Sequence, residues 1–283
     1  LLRLKVAETT ERDHVHLSEI RVAVIDAESC PLYVEVEGPA AAPVLMLSNS
    51  LGTNLNIWDE QASVWSRHFR LIRYDRRGHG RSGVTPGPYS MERLGKDALA
   101  IMDALNVSKI NWCGLSMGGM VGQWLAAHAP QRIDKLILSN TSCYYPDKEP
   151  WNQRIQTIRA GGLETIADAL MKLWFTADFR ARSPDTVARI KEALVATPID
   201  GYIASCEAVR DMDHRGILAK INSPTLVIAG RHDTATPVAA AEFIRSHIPR
   251  ASLTVLDAAH ISNVEQPAFF VAEVLGFLTQ AKT

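Results

Sequence analysis

The sequence predicts an α/β protein: a mostly parallel, eight-stranded sheet between helices, with an all-helical cap inserted after the sixth strand. Three observations carry that expectation. Short β-branched runs alternate with stretches of helical periodicity, several of those runs are continuously apolar, and a long central segment replaces the alternation with helix after helix. A chain of 283 residues supplies enough side chains for a large buried core.

The runs at 21–25 and 32–37, joined by a short polar stretch, are expected to pair antiparallel. The runs at 44–47, 71–74, 109–113, 135–138, 225–229 and 252–256 follow, and their apolar character is that of parallel strands covered on both faces. Helical patterns at 91–105, 120–128, 238–247 and, after Pro267, 268–278 lie between or beyond them. The middle segment reads as four helices, at 151–159, 163–174, 185–195 and 202–212. Ser183 is the expected N-cap of the third, with Pro184 at its first position and Val187, Ile190 and Leu194 on one face. An insert of about 70 residues is too long for a plain connection. Residues 145–215 are therefore expected to form a helical cap on a core made of 21–144 and 216–283. Residues 1–20 stand ahead of the first strand as a leader or extension.

Composition narrows the function classes. Thirty Lys and Arg against 31 Asp and Glu leave a net charge of -1, which offers no electrostatic footprint for nucleic acid or an anionic membrane. An apolar fraction of 47% excludes wholesale disorder. No uninterrupted apolar run approaches the roughly 18 residues of a membrane span. Cys30, Cys113, Cys143 and Cys206 form no C-x-x-C pair and no disulfide framework. Residues 1–20 are charged and lack a secretory apolar core, so the expected compartment is the cytoplasm.

The strongest local signal is Gly114-Leu115-Ser116-Met117-Gly118, followed by Gly119. As a bare string it carries little weight; its place between a predicted strand and a predicted helix carries much. A turn that sharp imposes strained angles on its central residue, and flanking glycines remove the side chains that would collide there. The Ser116 hydroxyl is then held at a sheet end and a helix N-terminus, as a nucleophile requires.

A serine hydroxyl at neutral pH needs a base, and the base needs an orienting acid. On this strand–serine–helix arrangement they follow in the order acid, then histidine. That order selects His260 from nine histidines, because it follows the last strand in Asp257-Ala258-Ala259-His260. Asp233, after the strand at 225–229 in Gly230-Arg231-His232-Asp233, is the expected acid. Asp257 lies too near His260 along one loop to grip its ring, Asn140 lacks the charge, and His232 reads as a loop residue. The two oxyanion donors are expected to be the backbone N–H groups of Met117, directly after the nucleophile, and of Leu51, in Ser48-Asn49-Ser50-Leu51-Gly52-Thr53. The loop at 75–82 contains two glycines among basic residues but no phosphate-binding motif, and reads as a tight turn that positions the site loops. No metal-ligand spacing occurs either. Neither metal nor organic cofactor is expected. A receptor that merely binds a small molecule would not need an activated nucleophile.

Across nearly all of 21–283 the chain resembles the α/β-hydrolases, through 75–82, Gly114–Gly119, Gly230–Asp233 and His260. Within them it is most similar to the 3-oxoadipate enol-lactone hydrolases of aromatic catabolism. The narrower likeness rests on the Ser48–Thr53 loop, Trp174-Phe175-Thr176-Ala177-Asp178-Phe179-Arg180, Ala208-Val209-Arg210-Asp211-Met212-Asp213 and Ala259-His260-Ile261-Ser262-Asn263. Residues 1–20 and the segment Cys143-Tyr144-Tyr145-Pro146 depart from the pattern. The resemblance implies that a small-molecule enol lactone with an acetate arm is opened to 3-oxoadipate through an acyl-enzyme on Ser116. It also implies a cap group that meets the free carboxylate, for which Arg154, Arg180 and Arg210 are the candidates. Cleavage of a carbon–carbon bond in a ring-fission product, or of a small ester, would use the same three residues.

Overall fold

The computed structural model describes residues 20–280; the expected leader at 1–20 lies, Ile20 apart, outside the described residues. Eight strands form one sheet: β1 (Arg21–Asp26), β2 (Pro31–Glu37), β3 (Val44–Ser48), β4 (Arg70–Tyr74), β5 (Ile110–Leu115), β6 (Ile133–Ser139), β7 (Thr225–Gly230) and β8 (Ala251–Leu256). Their order is β1-β2-β4-β3-β5-β6-β7-β8. β2 runs antiparallel to both neighbours, and every pair from β4 onward is parallel. Every residue of β5 and β7 is buried, so these central strands are covered on both faces, as their apolar runs require.

The covering helices are α1 (Asp59–Trp65), α2 (Met91–Ala104), α3 (Met117–His128), α9 (Val238–His247), α10 (Ser262–Glu265) and α11 (Pro267–Thr279). α2 packs on α3, and α1 on α11. The α1–α11 seam is aromatic: Trp58, Trp65 and Phe270 form a triangle with centroids 6.1–6.4 Å apart. Between β6 and β7 lie α4 (Glu149–Gly161), α5 (Glu164–Trp174), α6 (Ala177–Arg182), α7 (Pro184–Val195) and α8 (Ile199–Asp211). The two ends of this insert meet where Tyr144 bridges Asp213, and the His214 N–H donates to the Cys143 carbonyl at 2.7 Å. α8 rests on the core at a contact only glycines allow. A Cβ on Gly201 would stand 2.3 Å from the Gly78 carbonyl oxygen.

Three local expectations change. α1, α6 and α10 were not expected, because seven, six and four residues are too short to develop a hydrophobic period. The Ser183 side chain makes no cap bond to α7; Thr176 caps α6 instead, accepting from the Phe179 N–H at 3.2 Å. α3 starts at Met117 rather than Met120, since Gly118 and Gly119 are helical despite poor propensity. That propensity is overridden by close packing: a Cβ on Gly118 would stand 2.2 Å from the Ser48 carbonyl oxygen.

Candidate active site

Ser116 sits between β5 and α3 with φ 55° and ψ -113°, a backbone region that L-residues rarely enter. Its N–H donates to the Ser139 carbonyl at 2.8 Å, and its carbonyl accepts from Thr141 Oγ1 at 2.7 Å, so the strained turn is tied to the end of β6 and to the loop that follows it. Gly114 admits the turn: a Cβ there would stand 2.2 Å from the Gly118 carbonyl oxygen.

The turn aims the Ser116 hydroxyl at His260, with Oγ 2.9 Å from Nε2. His260 Nδ1 lies 2.8 Å from Asp233 Oδ2. A carboxylate there selects the tautomer that carries its proton on Nδ1, leaving Nε2 free to accept from serine. All three residues are buried.

Asp233 is held as an anion. Oδ1 accepts from the Ala235 and Thr236 N–H groups at 2.9 and 3.0 Å, and Oδ2 from Thr236 Oγ1 at 2.7 Å and Asn140 Nδ2 at 3.1 Å. Burial pushes its pKa up, but His260 and the Thr236 bonds outweigh that and hold it at about 2. Asn140, which lacks the charge to be the acid, thus supports it, and also donates to the Ala259 carbonyl beside His260 at 3.1 Å. Asp257 is turned away and pairs with exposed His232 at 2.8 Å.

Glu265 has no counterpart in the sequence reading. This buried carboxylate accepts from the Ala259 N–H at 2.9 Å and from the Thr176 hydroxyl. With the Ile261 N–H donating to the Trp174 carbonyl at 3.1 Å, it fixes the His260 loop to the end of α5. Nothing in Ala-His-Ile-Ser-Asn-Val-Glu marks this acid out in the sequence, because its partners Ala259 N–H and Thr176 meet it only in the fold.

The loop from Ser48 to Thr53 passes beside the start of α3. Its Asn49 carbonyl accepts from the Gly118 N–H at 3.1 Å, while the Asn49 side chain is bound by Tyr74 and Trp58. The loop at 75–82 braces it from behind: Arg76 donates to the Ser50 carbonyl at 2.8 Å, and the Gly52 N–H donates to His79 Nε2 at 3.0 Å. Between those ties the Leu51 N–H is left without an acceptor among the described residues, as is the Met117 N–H at the first position of α3. Two unspent donors beside a serine–imidazole pair can bind an oxyanion.

The three candidate arginines, all on helices between β6 and β7, differ. Arg210 is occupied by Asp211, at 2.7 Å, and by Asn152, at 3.2 Å, so it is a helix-surface arginine rather than a free cation. Arg180 is half-buried in α6, with its Nε buried and unpartnered. Arg154 lies 4.6 Å over the Trp151 ring, and its charge reaches the hydroxyls of half-buried Tyr145 and buried Tyr202, whose pKa values desolvation drives upward. Tyr145 also feels Asp233, and Tyr202 touches the Ser48–Thr53 loop, its Cε2 lying 2.8 Å from where a Gly52 Cβ would stand. Arg154 is therefore within electrostatic reach of two residues that border the site.

Two neutral histidines give the fold a pH signature. Burial, reinforced by Arg76, lowers His79 to about 3; burial, reinforced by His128, lowers His214 to about 4. Both titrate near 6.5 when unfolded. Below about pH 6.5 the unfolded chain thus binds more protons than the folded one, so stability is full above that pH and falls as pH drops. The expected slope approaches about 2.7 kcal/mol per pH unit near pH 5 for two protons. Urea unfolding across that range checks it, and His214→Gln should remove about half of the slope.

Residues 43–267 match the family described as alpha/beta hydrolase fold. The chain belongs to that family. The hydrolase is 41% identical over 246 residues to 3-oxoadipate enol-lactonase 2 of Acinetobacter baylyi, covering 87% of this chain and 92% of that protein. It is 30% identical over 264 residues to the putative carbamate hydrolase RutD of Agrobacterium fabrum, covering 88% and 99%. Among solved structures, the enol-lactonase from Burkholderia xenovorans LB400 superposes with a TM-score of 0.89 at 40% identity, covering 92% of this hydrolase and all of that chain. Among the described residues no helix is long and apolar enough to cross a membrane, and no cluster of His, Cys, Asp and Glu could hold a metal ion.

Proposed function

We propose that this hydrolase opens the ring of 3-oxoadipate enol-lactone to 3-oxoadipate, with Ser116 as nucleophile, His260 as general base and acid, and Asp233 as its orienting carboxylate. The observation that carries the reading is the unbroken series Ser116 Oγ–His260–Asp233, with links of 2.9 and 2.8 Å, beside two unspent backbone donors. The likeness to enol-lactonases supports the choice of substrate.

Ser116 Oγ attacks the lactone carbonyl while its proton passes to His260 Nε2, and the Leu51 and Met117 N–H groups hold the oxyanion. Collapse breaks the ring C–O bond; the departing enol oxygen takes the proton from His260 and the enol ketonises. Water, losing its proton to His260, then attacks the acyl carbon, and Ser116 leaves with that proton. The product carries two carboxylates, so the substrate enters with one. We assign that carboxylate to Arg154, whose guanidinium lies over the Trp151 ring and meets no acidic side chain among the described residues. Arg154→Met is expected to raise KM for the lactone about 10- to 100-fold, the value of a charge-assisted hydrogen bond, and to leave an uncharged aryl acetate unaffected.

The substrate is tested by comparing kcat/KM for the enol lactone, a vinylogous diketone acid, a short aryl ester and a carbamate. The lactone is expected to be turned over best. If it is the poorest, the lactonase assignment falls while the serine hydrolase reading stands.

A further inference from the structure

Behind the Ser48–Thr53 loop lies a buried cation that the steps above do not use. Arg76 is 1% exposed and is among the largest fully buried side chains of the molecule. Its neighbour Arg77 is an ordinary buried ion pair, meeting both Asp97 oxygens at 2.6 and 2.9 Å. Arg76 has no such partner among the described residues. Asp75, the carboxylate whose charge acts on Arg76, spends its oxygens on the Leu55 N–H, the Arg81 N–H and the Arg81 side chain. Arg76 Nε and Nη1 have no acceptor among the described residues. Its one side-chain bond among the described residues runs from Nη2 to the Ser50 carbonyl oxygen, at 2.8 Å. Burying a guanidinium for a single neutral acceptor is unfavourable, so stability alone does not account for it.

That carbonyl belongs to the same peptide group as the Leu51 N–H. A trans peptide is planar and points its N–H opposite to its C=O. A cation fixed on the Ser50 oxygen therefore does two things: it turns the Leu51 N–H away from the core, and it draws electron density through the amide, making the hydrogen more positive. Thr53 adds to both effects, donating from Oγ1 at 2.9 Å and from its N–H at 3.3 Å to the same oxygen. The next peptide is pinned too, by the Gly52 N–H on His79. Linked hydrogen bonds polarise one another most where water is excluded.

We propose that Arg76 is a positioning residue of the oxyanion site, orienting and polarising the Ser50–Leu51 peptide so that its N–H binds the developing oxyanion more strongly. The proposal rests on Leu51 as an oxyanion donor, but not on the identity of the lactone.

The test uses the full chain and an aryl acetate, with Arg76→Lys, Arg76→Met and Thr53→Val. Arg76→Met should lower kcat about 10- to 100-fold, less than the loss of a whole oxyanion donor, and leave KM within about twofold. The affinity for a trifluoromethyl ketone, which forms a tetrahedral adduct, should fall by the same factor. The carbonyl stretch of the acyl-enzyme should move to higher frequency, a signature that a merely structural residue would not give. Arg76→Lys should recover most of the loss, and Thr53→Val should show a smaller change in the same direction. A folded Arg76→Met with unchanged ketone affinity and carbonyl frequency overturns the proposal. If Arg76→Met does not fold, an unchanged Thr53→Val overturns it equally. A wild-type protein that forms no acyl group on Ser116 would be a separate failure, that of the underlying serine reading.

Discussion

Ser116→Ala is expected to lower kcat by about six orders of magnitude, because the three residues act as one unit and removing the nucleophile removes the whole acylation route. Folding should be little affected. The lost hydroxyl leaves His260 Nε2 without its protein partner, a cost of about 1 kcal/mol. The backbone strain at φ 55° remains, since alanine enters that region no more readily than serine. Ser116→Gly separates the two effects: it should be as inactive and yet more stable by about 1 kcal/mol, because glycine relieves the strain. Steady-state kinetics with thermal unfolding on both variants checks this. An active alanine variant would remove Ser116 from the chemistry.

Asp233→Asn is expected to cost on the order of 10⁴ in kcat, by analogy with other serine triads. The surroundings explain the size of the effect. Oδ1 accepts two backbone N–H groups, and Oδ2 accepts from Thr236, Asn140 and His260, so no lone pair has room for an N–H donor. An amide placed there turns its NH₂ toward a donor. If it faces His260, it reverses the ring tautomer, and Nε2 then carries a proton and cannot accept one from Ser116. Asp257→Asn is the control: among the described residues its carboxylate meets only exposed His232, and the change should be near neutral. The two phenotypes exchanged would move the acid role to Asp257.

The sequence made the layered architecture legible because apolar strand runs and helical periods are written into consecutive residues. The Ser116, Asp233 and His260 positions were legible for a related reason: each follows a strand, and the topology sends strand ends to one edge of the sheet. What the sequence hid depends on partners distant along the chain. Glu265 is one acidic residue among many until it meets the Ala259 N–H. Arg76 and Arg77 are neighbours of the same type, yet one forms a bidentate ion pair and the other props a backbone carbonyl. Arg154 and Arg210 both lie on helices inserted between β6 and β7, and only the fold brings Asn152 against the second, which also meets its neighbour Asp211. Short helices such as α6 fall below the length at which periodicity speaks, and the Ser183 cap failed because a preferred residue type does not guarantee the bond.

The most direct test of the account is rapid acid quenching of the enzyme during turnover of the enol lactone, followed by mass spectrometry of the peptide that contains Ser116. The account predicts a transient adduct on Ser116 with the mass of one added lactone, appearing before the steady state and absent from Ser116→Ala. Turnover that proceeds with no such adduct, or with the adduct on another residue, would contradict it.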